Sequence, residues 1–451
     1  MSLISALPAT DGYRTSGAGA WSSVYAVSEL ATATFGAVGQ ELARLATALN
    51  LSAIAPEVTV DHRLASLWYR YSFKPSGWEM PSLWDAVAGD YQTADGWIRL
   101  HTNLPRHRAA ALVVLEVKAD RDAVSQAVRT WSASELESAI VAQGGVSAAM
   151  RSRAEWLDHP QGRAVSRDPL IGWQSPRQIT LRDRPEATAD RPLAGLRVLD
   201  LTRVLAGPVS TRTLAGFGAE VLRVDPPGWD EPGVIPDISL GKSCTYLDLK
   251  SPSGLEKLQE LLSQADVFVH GYRPGALDAL GLTRAKRDEL APNRVEVSLD
   301  AYGWQGPWAA RRGFDSLVQM SAGIADAGRN WANTDKPTPL PVQALDHATG
   351  YLMAAAVLSA LAEAASGNSI MLGQLSLART AELLAILGKS DTKEVISGAN
   401  PSDHNQTPEE TGWGPGHRLN SALTVGTAKM SWDRPAPKLG TSTPVWPSAI
   451  T

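Results

Sequence analysis

The sequence predicts an α/β protein: a doubly wound, mainly parallel sheet joined to a smaller mixed α/β module. Three observations carry that expectation. From residue 196 to about 300, short apolar runs alternate with stretches of helical periodicity, the pattern of successive β–α units. Residues 166–192 contain Asp168-Pro169, Ser175-Pro176, Asp183-Arg184-Pro185 and Arg191-Pro192 with little apolar periodicity. Each proline pushes its predecessor out of the helical region, so this reads as a linker. Ahead of it the spacing switches between helical and extended. The expected division is 1–165, 166–192 (linker), 193–398 (main domain) and 399–451, an irregular tail rich in Pro, Gly, Thr and Ser.

The elements follow in order. Residues 28–51 alternate apolar and polar side chains at helical spacing, and Asp95-Gly96 reads as a turn leading into a strand over 97–101. Helices are expected over 123–131 and 133–143, the second acid-led by Glu135 and Glu137. In the main domain, strands are expected over 196–201, 220–225, 245–249, 265–270 and 294–299. Helices are expected over 210–217 and 253–264, the latter capped by Ser251 or Ser253.

Composition bounds the function. The chain has 451 residues, 44% hydrophobic and 20% charged, enough for two or three cores. Lys and Arg number 42 against 47 Asp and Glu, a formal charge of −5. That balance excludes a non-specific nucleic-acid binder, which needs a basic face, and leaves room for a local basic pocket. Cys244 is the only cysteine, so no disulfide forms within the chain and a reducing, cytoplasmic setting is expected. Within Ser243-Cys244-Thr245-Tyr246 it reads as a small buried residue rather than a nucleophile. Met1-Ser2-Leu3-Ile4-Ser5 lacks the basic and apolar regions of a signal peptide, and no uninterrupted apolar run is long enough to cross a membrane. The Ala-rich stretch 351–365 reads as a buried helix.

The first strand-to-helix turn, Asp200-Leu201-Thr202-Arg203-Val204-Leu205-Ala206-Gly207-Pro208, has small residues where a helix N-terminus could meet a phosphate. Asp225, ending the next strand, mimics a ribose-binding acid. Yet Gly-x-Gly-x-x-Gly is absent, and Pro208 removes a donor where a pyrophosphate would sit. The turn therefore suits a nucleotide-like ligand held by another geometry.

Residues 192–208, continued by Leu214-Ala215-Gly216-Phe217-Gly218-Ala219-Glu220-Val221-Leu222-Arg223-Val224-Asp225-Pro226-Pro227, resemble the opening of class III (CaiB/BaiF) coenzyme A transferases. Further blocks follow in the family's order: Leu247-Asp248-Leu249-Lys250-Ser251, Tyr272-Arg273-Pro274-Gly275-Ala276-Leu277, Ala301-Tyr302-Gly303, Gly313-Phe314-Asp315 and Ala344-Leu345-Asp346-His347-Ala348-Thr349-Gly350. Asp95-Gly96-Trp97-Ile98 and Glu155-Trp156-Leu157 resemble the family's small-domain segment, which normally follows the last block and here precedes the first strand. No glycine-rich loop is recognisable; residues 85–91 are its degenerate counterpart.

The resemblance implies the family's large-domain fold, CoA and acyl-CoA as substrates with no tightly bound cofactor and no metal, and an interlinked homodimer. It places Asp346 as the acyl-carrying carboxylate, Arg203, Val204, Leu205 and Ala206 in the turn that meets the cofactor, and Arg223 and Lys242 as phosphate contacts. Gly271, Tyr272 and Arg273 match a loop near the adenine and pantetheine arm, and Tyr302 and Gly303 a loop near the thioester. Ala279 stands where a phosphate-binding arginine can occur. A carboxylate at Asp346 could attack a thioester, expel CoA thiolate and hold the acyl group as a mixed anhydride. Taken alone, Asp346 also reads as a helix-capping acid ahead of an apolar helix. Two alternatives stay open. Racemisation needs a base where Phe314 stands, with His347 the other option, and a non-catalytic CoA-fold protein would suit the reordered modules.

Overall fold

The computed structural model describes residues 7, 12–390 and 394–446, so the reading of Met1 to Ser5 lies outside the described residues. Its main sheet has seven strands: β1 (Gly172–Arg177), β2 (Arg197–Leu201), β3 (Glu220–Asp225), β4 (Lys242–Tyr246), β5 (Val267–His270), β6 (Val295–Asp300) and β7 (Ile370–Ser376). They lie in the order β4-β3-β2-β5-β6-β7-β1. Every pair is parallel except β7–β1. This is the doubly wound arrangement, with strand order reversing direction between β2 and β5.

The strands form because both faces are covered, which is why they read as apolar runs. Successive residues alternate between two cores. Val198, Val221, Val267 and Val269 face the larger core, beneath helices α1 (Val27–Ala48), α2 (Ala206–Gly216) and α4 (Ala344–Ala365). Leu199, Leu222, Val224 and Phe268 face the other, under α3 (Pro252–Ser263) with Leu258, Leu261 and Leu262. The Ser251 hydroxyl caps α3 by accepting from Gly254 N–H at 3.1 Å. α4 is long and apolar enough to cross a membrane, but 94% of its apolar window is buried in this core.

Two boundaries in the sheet differ from expectation. α2 starts at Ala206 because Pro208 falls in its first turn, where a missing N–H costs nothing. β4 starts at Lys242 rather than Thr245, since the Lys242 ammonium is paired internally with Asp200.

The N-terminal residues divide between two places. Residues 87–149 build a small module with its own core: an antiparallel sheet of Gly89–Gln92, Trp97–Leu100 and Ser147–Ala149, with helices Pro105–Leu115, Arg121–Val128 and Ala133–Ala142. α1, by contrast, packs on α4 in the main core. The stretch 166–192 is not all linker, since it supplies the edge strand β1. The tail after 398 is not irregular throughout. Leu423–Val425 pairs with Val58–Asp61, and Pro415–Arg418 with Phe73–Pro75, tying the two ends of the chain together. These short strands lack the long apolar runs that announce a strand in sequence.

Candidate active site

In open α/β sheets ligands bind beyond the carboxyl ends of the strands where the order reverses. Here that point lies past Leu201 and His270, and a cavity of about 350 Å³ opens there. Of the residues expected to bind, Arg203, Val204, Ala206, Gly271, Tyr272, Arg273 and Asp346 line it.

The turn after β2 is held in a strained form. Val204 has φ 65°, a left-handed conformation unusual for a β-branched residue. Its N–H donates to Glu231 Oε2 at 3.0 Å, and Glu231 faces Arg223 at 3.5 Å. Arg223 is also bonded to Asp225 Oδ2 at 2.7 Å, and its side chain is fully buried. Lys242 is equally buried, 3.0 Å from Asp200 Oδ2 and 2.9 Å from the Pro208 carbonyl. Arg223 and Lys242 therefore sit beneath the turn, without a surface that a phosphate could touch. Asp225, matched in sequence to a ribose acid, is spent on the same network.

Asp346 lies in the first turn of α4. Gly350, one turn later on the same face, is required there: a Cβ would stand 2.4 Å from the Ala206 carbonyl oxygen and 2.8 Å from Val209. This close approach brings the N-terminus of α2 onto Asp346, whose carboxylate accepts from Ala206 N–H. The start of α4 has no capping side chain of its own. Instead Asp315 Oδ2 accepts from Leu345 N–H at 2.9 Å and Asp346 N–H at 3.1 Å. Burial, then the nearby carboxylates of Asp315 and Glu231, push the Asp346 carboxyl well above the usual carboxylate range; the Ala206 hydrogen bond offsets part of this.

Five guanidiniums line the cavity: Arg311, which is paired with Glu137 at 3.0 Å, and Arg106, Arg203, Arg273 and Arg312. Burial and then the surrounding arginines hold Arg106 and Arg312 below the ordinary arginine range. Among the described residues, Arg106, Arg273 and Arg312 make no ion pair, and Arg203 reaches only Asp225 at 3.9 Å while lying over the Trp229 ring. A cluster of arginines, three of them without an ion pair, is a site for a polyanion. Arg106 and Arg312 were missed in sequence. Arg312 directly precedes Gly313-Phe314-Asp315, but Arg106 comes from the small module, and nothing local announces its arrival.

The other expected residues fall elsewhere. Tyr302 is buried behind the wall, its hydroxyl 3.1 Å from Ser321 Oγ, and Gly303 N–H donates to Asp300 Oδ1 at 2.8 Å; Asp300 and Ala301 line the cavity in their place. Ala279 is exposed and away from it. Cys244 is buried, and desolvation pushes its thiol up to about 12, which suits a packing residue. Leu205 and His347 face a second cavity, also about 350 Å³, on the far side of the turn. The Phe314 ring lies in the first cavity, stacked on His101 at 3.9 Å.

Residues 193–415 match the model of a family described as CoA-transferase family III. An acyl-CoA transferase of Gibberella moniliformis is 31% identical over 309 residues, 64% of this chain and 54% of that protein. A succinyl-CoA:glutarate CoA-transferase of Mus musculus is 34% identical over 193 residues, 40% of this chain and 44% of that protein. The chain thus spans about half the length of these relatives. A CaiB/BaiF family protein from Brucella suis, known as a crystal structure, is 25% identical with a TM-score of 0.38, over 50% of this chain and 65% of that one.

Proposed function

We propose, from the premise that the chain belongs through residues 193–415 to CoA-transferase family III, that it moves CoA from an acyl-CoA to a carboxylic acid, with Asp346 carrying the acyl group. The observation that supports this most is a carboxylate in the wall of an arginine-lined cavity at the sheet's switch point.

In the proposed reaction Arg106, Arg203, Arg273 and Arg312 hold the phosphates of CoA. The ionised Asp346 attacks the thioester carbonyl; a C–O bond forms, the C–S bond breaks, and CoA leaves as thiolate. The acceptor carboxylate attacks the resulting mixed anhydride, taking the acyl group and releasing Asp346. Thiolate then attacks the new anhydride between acyl group and acceptor, giving acceptor-CoA and the donor acid. The N-termini of α2 and α4 both favour negative charge at Asp346, against burial and two neighbouring acids. An interlinked homodimer belongs to the same proposal.

Racemisation has less support. Phe314 occupies the base position, and burial pushes His101 and His347 down to about 3 and His107 to about 4, weak bases for removing an α-proton.

Intact-protein mass spectrometry after incubation with a panel of acyl-CoAs tests the proposal. Wild type should gain the mass of one acyl group and lose it to hydroxylamine, whereas Asp346→Asn should gain none. Equal adducts on both proteins would overturn it.

A further inference from the structure

A smaller pocket of about 250 Å³ opens at the edge of the main sheet, beside the antiparallel pair β7–β1. Four separate segments build its wall. Asp168 follows the helix Pro160–Arg167, Trp173 lies on β1, and Trp304 follows β6. Ser376 ends β7 and caps the helix Leu377–Leu387, which carries Arg379. The two indoles are held in place. Gly373 faces Trp173 across the strand pair, so that ring lies over bare backbone. Trp304 donates its Nε1–H to the Leu375 carbonyl at 3.0 Å.

The pocket holds one acid and one base that do not pair with each other. The half-buried Asp168 carboxylate makes no hydrogen bond or ion pair among the described residues. Arg379, also half-buried, donates its Nε to the backbone carbonyl of Asp168 at 2.7 Å, which ties the guanidinium to the acid's main chain rather than to its carboxylate. Both terminal nitrogens of Arg379 lack a partner; Nη1 is enclosed by protein, whereas Nη2 is not. Glu382, one turn further along the same helix, is taken by Arg153. Burial therefore pushes the Asp168 carboxyl up and the Arg379 guanidinium down, each only partly offset by the charge of the other. Two opposite charges, both partly desolvated and both unmatched, are satisfied together by a ligand that carries one charge of each sign.

We propose that this edge pocket binds a small zwitterion, an α-amino acid with an apolar or aromatic side chain. Its ammonium meets the Asp168 carboxylate, its carboxylate meets Arg379 Nη2, and its side chain lies against the indole surface of Trp173 and Trp304. A cavity just below the usual drug-sized range of about 300 Å³ upward suits a ligand of about a dozen heavy atoms. The site is independent of the transferase reading, since none of its residues lines the cavity that contains Asp346.

Calorimetry on the full chain tests this with L-phenylalanine, 3-phenylpropanoate and 2-phenylethylamine; the last two keep the ring and one charge each. Wild type should bind phenylalanine at least about 10-fold more tightly than either analogue, one charge-assisted contact being lost in each. Glycine, which keeps both charges and lacks the ring, should also bind at least about 10-fold more weakly. Asp168→Asn should lower phenylalanine affinity to that of 3-phenylpropanoate and leave the latter little changed. Arg379→Gln should lower it to that of the amine. Asp346→Asn should bind phenylalanine as wild type does. Should a pocket variant fail to fold by circular dichroism, the comparison of ligands on wild type still decides. Failure of wild type to bind phenylalanine, or equal affinity for phenylalanine and both analogues, overturns the inference. So does a loss of binding in Asp346→Asn that Asp168→Asn does not share, which would place the ligand in the first cavity. Acylation of Asp346 without amino-acid binding would refute this site and leave the transferase reading standing; the converse result would do the opposite.

Discussion

Gly350→Ala probes the contact that brings α2 onto Asp346. The new methyl would stand 2.4 Å from the Ala206 carbonyl oxygen, 2.8 Å from Val209 Cβ and 2.9 Å from its Cγ1. Real Cβ atoms essentially never approach closer than 3.0 Å, so α2 and α4 must part locally by at least about 0.6 Å. Overpacking of this kind costs about 1–3 kcal/mol, and alanine's better helix propensity returns about 0.5–1 kcal/mol. The expected net loss is about 0–2.5 kcal/mol, with Tm by circular dichroism falling roughly 2–4 °C for each kcal/mol lost. The effect on function should be larger. Parting the helices draws Ala206 N–H away from the Asp346 carboxylate, and a misplacement approaching 1 Å can cost about 100-fold in rate. Hydroxamate formation under single-turnover conditions measures that step. An unchanged acylation rate together with an unchanged Tm would refute the argument that Gly350 sets this contact.

Two further predictions follow from charge. Because burial, Asp315 and Glu231 hold Asp346 protonated above the ordinary carboxylate range, the ionised nucleophile should accumulate, and acylation accelerate, as pH rises; Asp315→Asn should shift that profile toward lower pH, as read from single-turnover rates. Arg106→Ala and Arg312→Ala should each weaken CoA binding by about 10-fold with a shallower salt dependence, measured by calorimetry at two ionic strengths.

The sheet was legible because its strands are covered on both faces: Val198-Leu199 and Val267-Phe268-Val269 read as apolar runs. β7 escaped notice because Gly373 breaks its propensity, yet that glycine allows close packing against Val297 and Trp173. β1 was hidden by Pro176 and its polar neighbours, features tolerated on an antiparallel edge strand. Asp346, Arg203, Val204 and Ala206, which line one cavity, stand out in the sequence because they lie in contiguous blocks; Leu205, in the same block, faces the second cavity. Arg223 and Lys242 misled because a charged residue in a strand looks the same in sequence whether it faces a ligand or a buried carboxylate. Only their partners, Asp225 two residues along β3 for Arg223 and Asp200 on β2 for Lys242, distinguish the two cases. Arg106 was illegible because it reaches the cavity from the small module, a convergence in space without local signature.

The most direct test of the central claim is to locate the acyl group. The protein would be incubated with its best acyl-CoA donor, quenched with hydroxylamine, digested and mapped by peptide mass spectrometry. A hydroxamate at Asp346, and at no other carboxylate, is the predicted result. Modification at another residue, or turnover of acyl-CoA with Asp346 never modified, would contradict it.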